Sequence, residues 1–212
     1  MYAPDAIVAL DPDNPAHVRA AAELHERLLG RSPIPRLGRL FMTRFYYSRL
    51  VKDALVHCYL YRVEEQFVGF LSLTEKPNSF MNEGTHRHFF RLSLVLFLAL
   101  LVNPSRIRIL WQTLKVAHRK TQAADGEGIG ELLSFGVLQE FATRKDGDHG
   151  LRIPNLLFEH GIRHFRERGF RRVQWTVDKD NLTAMIFYRS YGATLEKSAA
   201  AWPGDYRVWL DL

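Results

Sequence analysis

Two glycines constrain this chain more than any other residues. Gly169 ends a helix-length stretch, 150–168, in which Phe158, Ile162 and Phe165 form one apolar stripe and the arginines face away from it. Gly192 ends a second such stretch, 181–191. Glycine accepts the left-handed conformation that closes a helix, so both stretches read as helices with a C-terminal glycine. Each helix leads toward a run of β-formers, Arg172–Val177 after the first and Tyr206–Leu212 after the second. Glu131–Leu138 reads as a strand ahead of both helices. Strands that alternate with helices in this way form a mixed sheet with helices on its faces, an α/β fold.

The first half is less regular. Ala6–Leu10 reads as a short strand, and Asp13-Asn14-Pro15 as a helix start, with a capping side chain followed by proline. That helix runs to about Leu29. A second is expected from about Arg36 to Val51, where Leu37, Leu40, Phe41 and Phe45 share a face. Leu55–Arg62 and Gln66–Thr74 read as a hairpin. An extra apolar helical segment is expected at about 86–118, and a charged loop at Ala142–His149.

Composition narrows the function classes. With 212 residues and 47% hydrophobic content, the chain suits one domain with one sizeable core. The single cysteine, Cys58, excludes an intrachain disulfide and reads as a buried inert thiol. The N-terminus does not read as a signal peptide, so a cytoplasmic location is expected. The apolar run Leu94–Val102 is far shorter than the ~20 residues that span a bilayer. Its apolarity is nearly all-round, which leaves packing on a partner or peripheral membrane contact open. The net charge of +6 favours anionic partners in general. The chain lacks a recognition helix or aromatic–basic interleaving, so nucleic acid is not expected. The nine histidines show no metal-ligand spacing, and no metal is expected.

Chemistry concentrates in the segment from Asp180 to Ala193, which follows the strand Arg172–Val177. Asn181, Ala184, Phe187, Tyr188 and Gly192 stand at fixed offsets. Ala184 and Tyr188 lie four apart on one helix face, so a small residue leaves room for a ligand chain beside a phenol. This arrangement resembles the GNAT superfamily of N-acetyltransferases, and loosely its branch associated with cell-surface polysaccharide genes. The resemblance implies one GNAT-like domain over 1–212, with an acceptor-side half at 1–122 and an acetyl-CoA-binding half at 123–212.

The resemblance also assigns roles. Acetyl-CoA is the implied co-substrate. Its pyrophosphate would rest on the start of the helix near His149, Gly150, Leu151, Arg152, Ile153 and Pro154, where unpaired N–H groups and the helix dipole attract anions. This stretch departs from the family pattern: His149 replaces a basic or amide residue, and Arg152 and Pro154 stand where glycines are usual. A closer glycine match at 125–130 is rejected, because it stands one strand and loop too far ahead of Asn181. Arginines among Arg163, Arg166, Arg168, Arg171 and Arg172 could reach the coenzyme's 3′-phosphate. The pantetheine arm would pair with Gly136, Val137 and Leu138 in a gap between two diverging strands, and Asn181, Ala184 and Phe187 would line its path. The implied reaction is direct attack of a primary amine on the thioester. Tyr188 is the implied acid toward the leaving thiolate, and Glu131 the first choice of base, with Asp178 and Glu140 in reserve. The acceptor is expected to be a small molecule such as an amino sugar. A homodimer stays open, and a non-catalytic acyl-CoA-binding module is the alternative.

Overall fold

The computed structural model describes residues 7–102, 128–146, 150–197 and 205–212. The described chain begins with β1 (Ile7–Ala9), α1 (Pro15–Leu29), α2 (Pro33–Arg36) and α3 (Arg39–Phe41), which continues as a π-wound helix over Met42–Leu50. β2 (His57–Val63), β3 (Gln66–Thr74), α4 (Phe80–Arg87) and α5 (Phe89–Val102) follow. The second half holds β4 (Ile129–Val137), α6 (Gln139–Ala142), β5 (Lys145–Asp146), β6 (Leu151–Arg152), α7 (Ile153–Glu167), β7 (Arg172–Asp178), α8 (Leu182–Ser190), β8 (Thr194–Lys197) and β9 (Asp205–Asp211).

Both glycine closures form as expected. Gly169 takes φ +76° and Gly192 φ +83°. In α7 the Gly169 N–H donates to Arg166 and the Phe170 N–H to Phe165. In α8 the Gly192 N–H donates to Arg189 and the Ala193 N–H to Tyr188. These paired bonds satisfy carbonyls that the last turn would otherwise leave open. The Phe165 and Phe170 rings meet across the first closure at 5.3 Å, adding the apolar contact typical of this cap.

A seven-stranded sheet runs in the order β1-β2-β3-β4-β7-β9-β8. Neighbours pair antiparallel except β4 and β7, which are parallel. The β2–β3 hairpin closes from Val63 to Gln66, with Glu64 at φ +53° in the tip. α1 packs over β3 and β4 on one face, and α7 over β2, β3 and β4 on the other. The fold is the expected mixed α/β sheet with helices on its faces.

Three local expectations change. The helix expected over Arg36–Val51 is broken at Gly38, which takes φ +102°, and its main part is π-wound. The wider coil buries Met42, Phe45, Tyr46, Tyr47 and Leu50 together, including two consecutive tyrosines. The loop expected over Ala142–His149 instead contributes a strand: Lys145 and Asp146 pair with Arg152 and Leu151. α7 therefore starts at Ile153 rather than Gly150, and Gly150 (φ +62°) sits beyond the ribbon's strands.

Of the extra apolar segment, α4 and α5 are described, and 103–118 lies outside the described residues. On α5, Leu92, Val95 and Ala99 are buried, whereas Phe90, Leu94, Phe97 and Leu101 form an exposed stripe. Among the described residues no helix is long and apolar enough to cross a membrane.

Candidate active site

β4 and β7 share hydrogen bonds only at their beginnings, where Ile129, Gly130 and Glu131 pair with Arg172, Val173 and Gln174. Beyond Glu131 the strands part, although β4 continues to Val137 and β7 to Asp178. β4 also carries a bulge. Ser134 pairs with Ser72 and Leu132 with Leu73, so Leu133 has no opposite number on β3. The strand thus bends where it leaves β7.

The split opens into a groove of about 1300 Å³. Its walls are β4 from Leu132 to Phe135 with Val137, β7 from Trp175 to Asp178, the α1–α2 connection, the start of α7 and the open face of α8. Buried backbone groups require partners. The edge of β4 that faces the groove has none from β7 past Glu131, so an extended ligand can complete it as an added strand.

Of the expected site residues, Val137, Arg152, Pro154, Asn181, Ala184, Phe187 and Tyr188 line this groove. The others lie elsewhere. Leu138 is buried, and its N–H donates to Val68 on the β3 side at 2.8 Å, so it is committed away from the gap. Gly136 sits beneath Leu28 of α1. Ile153 is buried in the core. Leu151 belongs to the ribbon and Gly150 stands just before it, both off the groove, and His149 lies outside the described residues. The groove's own additions are Asn155, Thr183 and the guanidinium-bearing Arg31 and Arg36, which the sequence did not single out.

Tyr188 is buried beside Trp175, with ring centroids 4.9 Å apart, and against Phe158 at 5.7 Å. Burial holds its phenol well above the ordinary value, so it stays protonated. Its hydroxyl has no hydrogen-bond partner among the described residues. Trp175 Nε1 is likewise a buried donor without a partner. Asn181 caps α8, its side-chain oxygen accepting from the Ala184 N–H at 3.1 Å. Asn155 donates to the Tyr191 hydroxyl at 2.8 Å, which donates to Glu159, locking α7 to α8.

Glu131 stands at the vertex of the split, paired in register with Thr74 on one side and Gln174 on the other. It is buried, and the Gln174 amide lies 3.5 Å from Oε2. Beneath the sheet lies the Tyr46 phenol, whose pKa is raised chiefly by burial and in small part by the nearby Glu131. Glu131 does not line the groove itself. Of the reserves, Asp178 lines the groove and its Oδ1 accepts from the Asp180 N–H, whereas Glu140 is exposed and ion-paired to Arg27.

The sequence reading missed a buried polar group beneath β4. His25 of α1 bonds the Tyr47 hydroxyl at 2.8 Å through Nδ1 and the Ser134 hydroxyl at 3.2 Å through Nε2. It is fully buried, and burial pushes its pKa down to about 3. Its place in the α1 stripe of Val18, Ala21 and Ala22 was the available signal. The basic run on α7 also finds other uses: Arg168 pairs with Glu75, and Arg172, on β7, with Asp211. Both stand at the far end of α7 from its N-terminus. The rejected glycine segment supplies Gly128, whose carbonyl accepts from Arg171 and Arg172 at the base of β4.

The fold is that of GNAT acetyltransferases. The chain is similar to the PaiA N-acetyltransferase of Thermoplasma acidophilum in complex with coenzyme A, at 11% identity and a TM-score of 0.54, covering 97% of this chain and 99% of that one. It is similar to the GNAT domain of S. lividans PAT at 16% identity and a TM-score of 0.57, covering 97% of this chain and 89% of that one. A GNAT-family acetyltransferase of Staphylococcus aureus matches at 10% identity and a TM-score of 0.55, with 97% and 98% covered. No family model matches the sequence, and no curated protein is similar to it.

Proposed function

We propose that the chain transfers an acetyl group from acetyl-CoA to a primary amine of a small molecule, such as an amino sugar. The observation that carries this reading is the parting of β4 and β7 past Glu131 and Gln174, which leaves an unpaired strand edge along a groove of about 1300 Å³. An extended pantetheine arm, with its amides spaced along a thin chain, fits such an edge. A structural relative in this fold was crystallised with coenzyme A.

The diphosphate would lie at the start of α7. There Pro154 removes one donor, and the later N–H groups of the first turn remain. Arg152, Arg31 and Arg36 line the same groove and add positive charge. The thioester carbonyl would reach the bulged part of β4, where a backbone N–H stabilises the developing oxyanion. The amine attacks the carbonyl carbon, the C–S bond breaks, and the amine proton passes to the thiolate through water in the groove, with Glu131 behind that water at the vertex of the split.

Tyr188 serves this step as a hydrogen-bond donor to the leaving sulfur. A phenol held above its ordinary pKa is a weaker acid than a thiol of about 8.5, so full proton transfer from it would run uphill. Donation without transfer still lowers the energy of the forming thiolate.

Titration with acetyl-CoA, followed by melting temperature, tests the reading. A concentration of 100 times the dissociation constant stabilises the fold by about 2.7 kcal/mol. No shift at millimolar acetyl-CoA rejects it, and a shift without turnover on any amine indicates a binding module.

A further inference from the structure

On the face of the sheet covered by α7, three side chains from distant parts of the sequence converge away from the groove. His57 opens β2, Glu75 follows the end of β3, and His164 lies on α7. The Glu75 Oε1 atom lies 3.0 Å from His164 Nε2 and 3.4 Å from His57 Nε2, and all three donor atoms fall within 4.8 Å of one another. We propose that His57, Glu75 and His164 form a binding site for a zinc-like divalent transition metal.

Geometry supports the assignment. Around tetrahedral zinc, with bonds of about 2.0–2.1 Å to nitrogen, neighbouring donors stand roughly 3.3 Å apart. Both nitrogen–carboxylate separations match that spacing. Two imidazoles and one carboxylate also form a donor set that this metal takes with a fourth position left for water. The second layer is built as metal sites require. The Tyr59 hydroxyl lies 2.8 Å from His164 Nδ1 and fixes the ring with Nε2 turned toward Glu75.

Burial holds both imidazoles below their ordinary pKa, so they are neutral and ready to donate lone pairs at neutral pH. His164 is almost fully buried, whereas His57 and Glu75 are only partly covered, which gives an ion a path in.

One group opposes a cation. Arg168 Nε lies 2.9 Å from the same Glu75 oxygen. Its side chain is 45% exposed, so it can withdraw to the second carboxylate oxygen or to water. This gives the proposal a signature that a purely structural cluster lacks: removing Arg168 strengthens metal binding.

The experiment titrates the metal-stripped full-length protein with Co2+, following visible d–d absorption, and with Zn2+ by calorimetry. One equivalent is expected to bind with tetrahedral Co2+ bands. His57→Ala and Glu75→Gln abolish those bands, and Tyr59→Phe weakens binding by about 10–100-fold. Arg168→Ala tightens it. Circular dichroism confirms that each variant is folded. Absence of saturable binding overturns the site, as does unchanged affinity in both ligand variants. None of these readouts uses acetyl-CoA, so the outcome is independent of the proposed transferase activity.

Discussion

Acid should destabilise this fold through His25 in a way that one substitution removes. The imidazole is enclosed by Tyr47, Ser134, Tyr46 and Phe70, and no carboxylate among the described residues lies against it. Its folded pKa is pushed down to about 3, against 6.5 when unfolded. Above pH 6.5 neither state carries the proton, and the full stability is present. Below it the unfolded chain takes up a proton that the folded chain refuses, so stability falls with pH until about 3. At pH 4.5 the loss from this group alone is about 2.7 kcal/mol, and at its limit about 5 kcal/mol. His25→Gln keeps a donor and an acceptor for Tyr47 and Ser134 but cannot be protonated. It should cost about 1–3 kcal/mol at neutral pH through imperfect hydrogen bonds. Urea unfolding at pH 7.5 and pH 4.5 measures both effects. The variant should lose about 2.7 kcal/mol less than the parent between the two conditions. His57, His160 and His164, also held low by burial, contribute equally to both proteins and cancel. Equal acid losses in the two proteins would show that His25 takes its proton in the folded state, and the argument from burial would fail.

Tyr188→Phe should lower turnover by about 100-fold while leaving acetyl-CoA affinity within about threefold, because the ring keeps its contacts with Trp175 and Phe158 and only the donor is lost; steady-state kinetics beside calorimetry separates the two, and equal losses would make the residue structural. Gly130→Ala should destabilise the fold by about 1–3 kcal/mol, since the added carbon would overlap the Phe165 ring that packs directly on β4; chemical denaturation measures this, and an unchanged midpoint would mean that the ring moves freely aside.

The elements legible in the sequence were those fixed by local rules. Gly169 and Gly192 marked helix ends because a left-handed residue is needed there, and Asn14 and Asn181 cap α1 and α8 with their own side chains. β3 was read to the residue at Gln66–Thr74. What escaped depends on partners distant in sequence. The π-wound helix follows from burying Tyr46 and Tyr47 side by side, which no periodicity at 3.6 residues anticipates. The ribbon of β5 and β6 needs two short pieces to find each other. Ser134 gains its importance from His25, and His164 from His57 and Glu75, contacts that only the sheet creates. Of the residues expected at the site, those along α8 together with Val137, Arg152 and Pro154 line the groove, whereas burial or committed hydrogen bonds draw Leu138 and Ile153 away from it.

The parting of β4 and β7 needs a physical cause, since a parallel pair that stops early forgoes hydrogen bonds worth about 1 kcal/mol each. Aromatic packing supplies one. Phe135 projects from β4, Trp175 from β7, and Phe158, Phe187 and Tyr188 pack against them from α7 and α8. Phe135 stacks with Phe187 at 6.0 Å, Phe158 meets Phe187 at 5.3 Å and Trp175 at 5.7 Å, and Trp175 meets Tyr188 at 4.9 Å. Such ring pairs add about 0.5–1.5 kcal/mol each beyond the area they bury. Several together offset the forgone ladder, and their thickness keeps the strands from closing. The bulge at Leu133 interrupts the β3 register just where β4 leaves β7. The groove is thus set by residues that also make the core, so the fold holds the shape of its site before any ligand arrives.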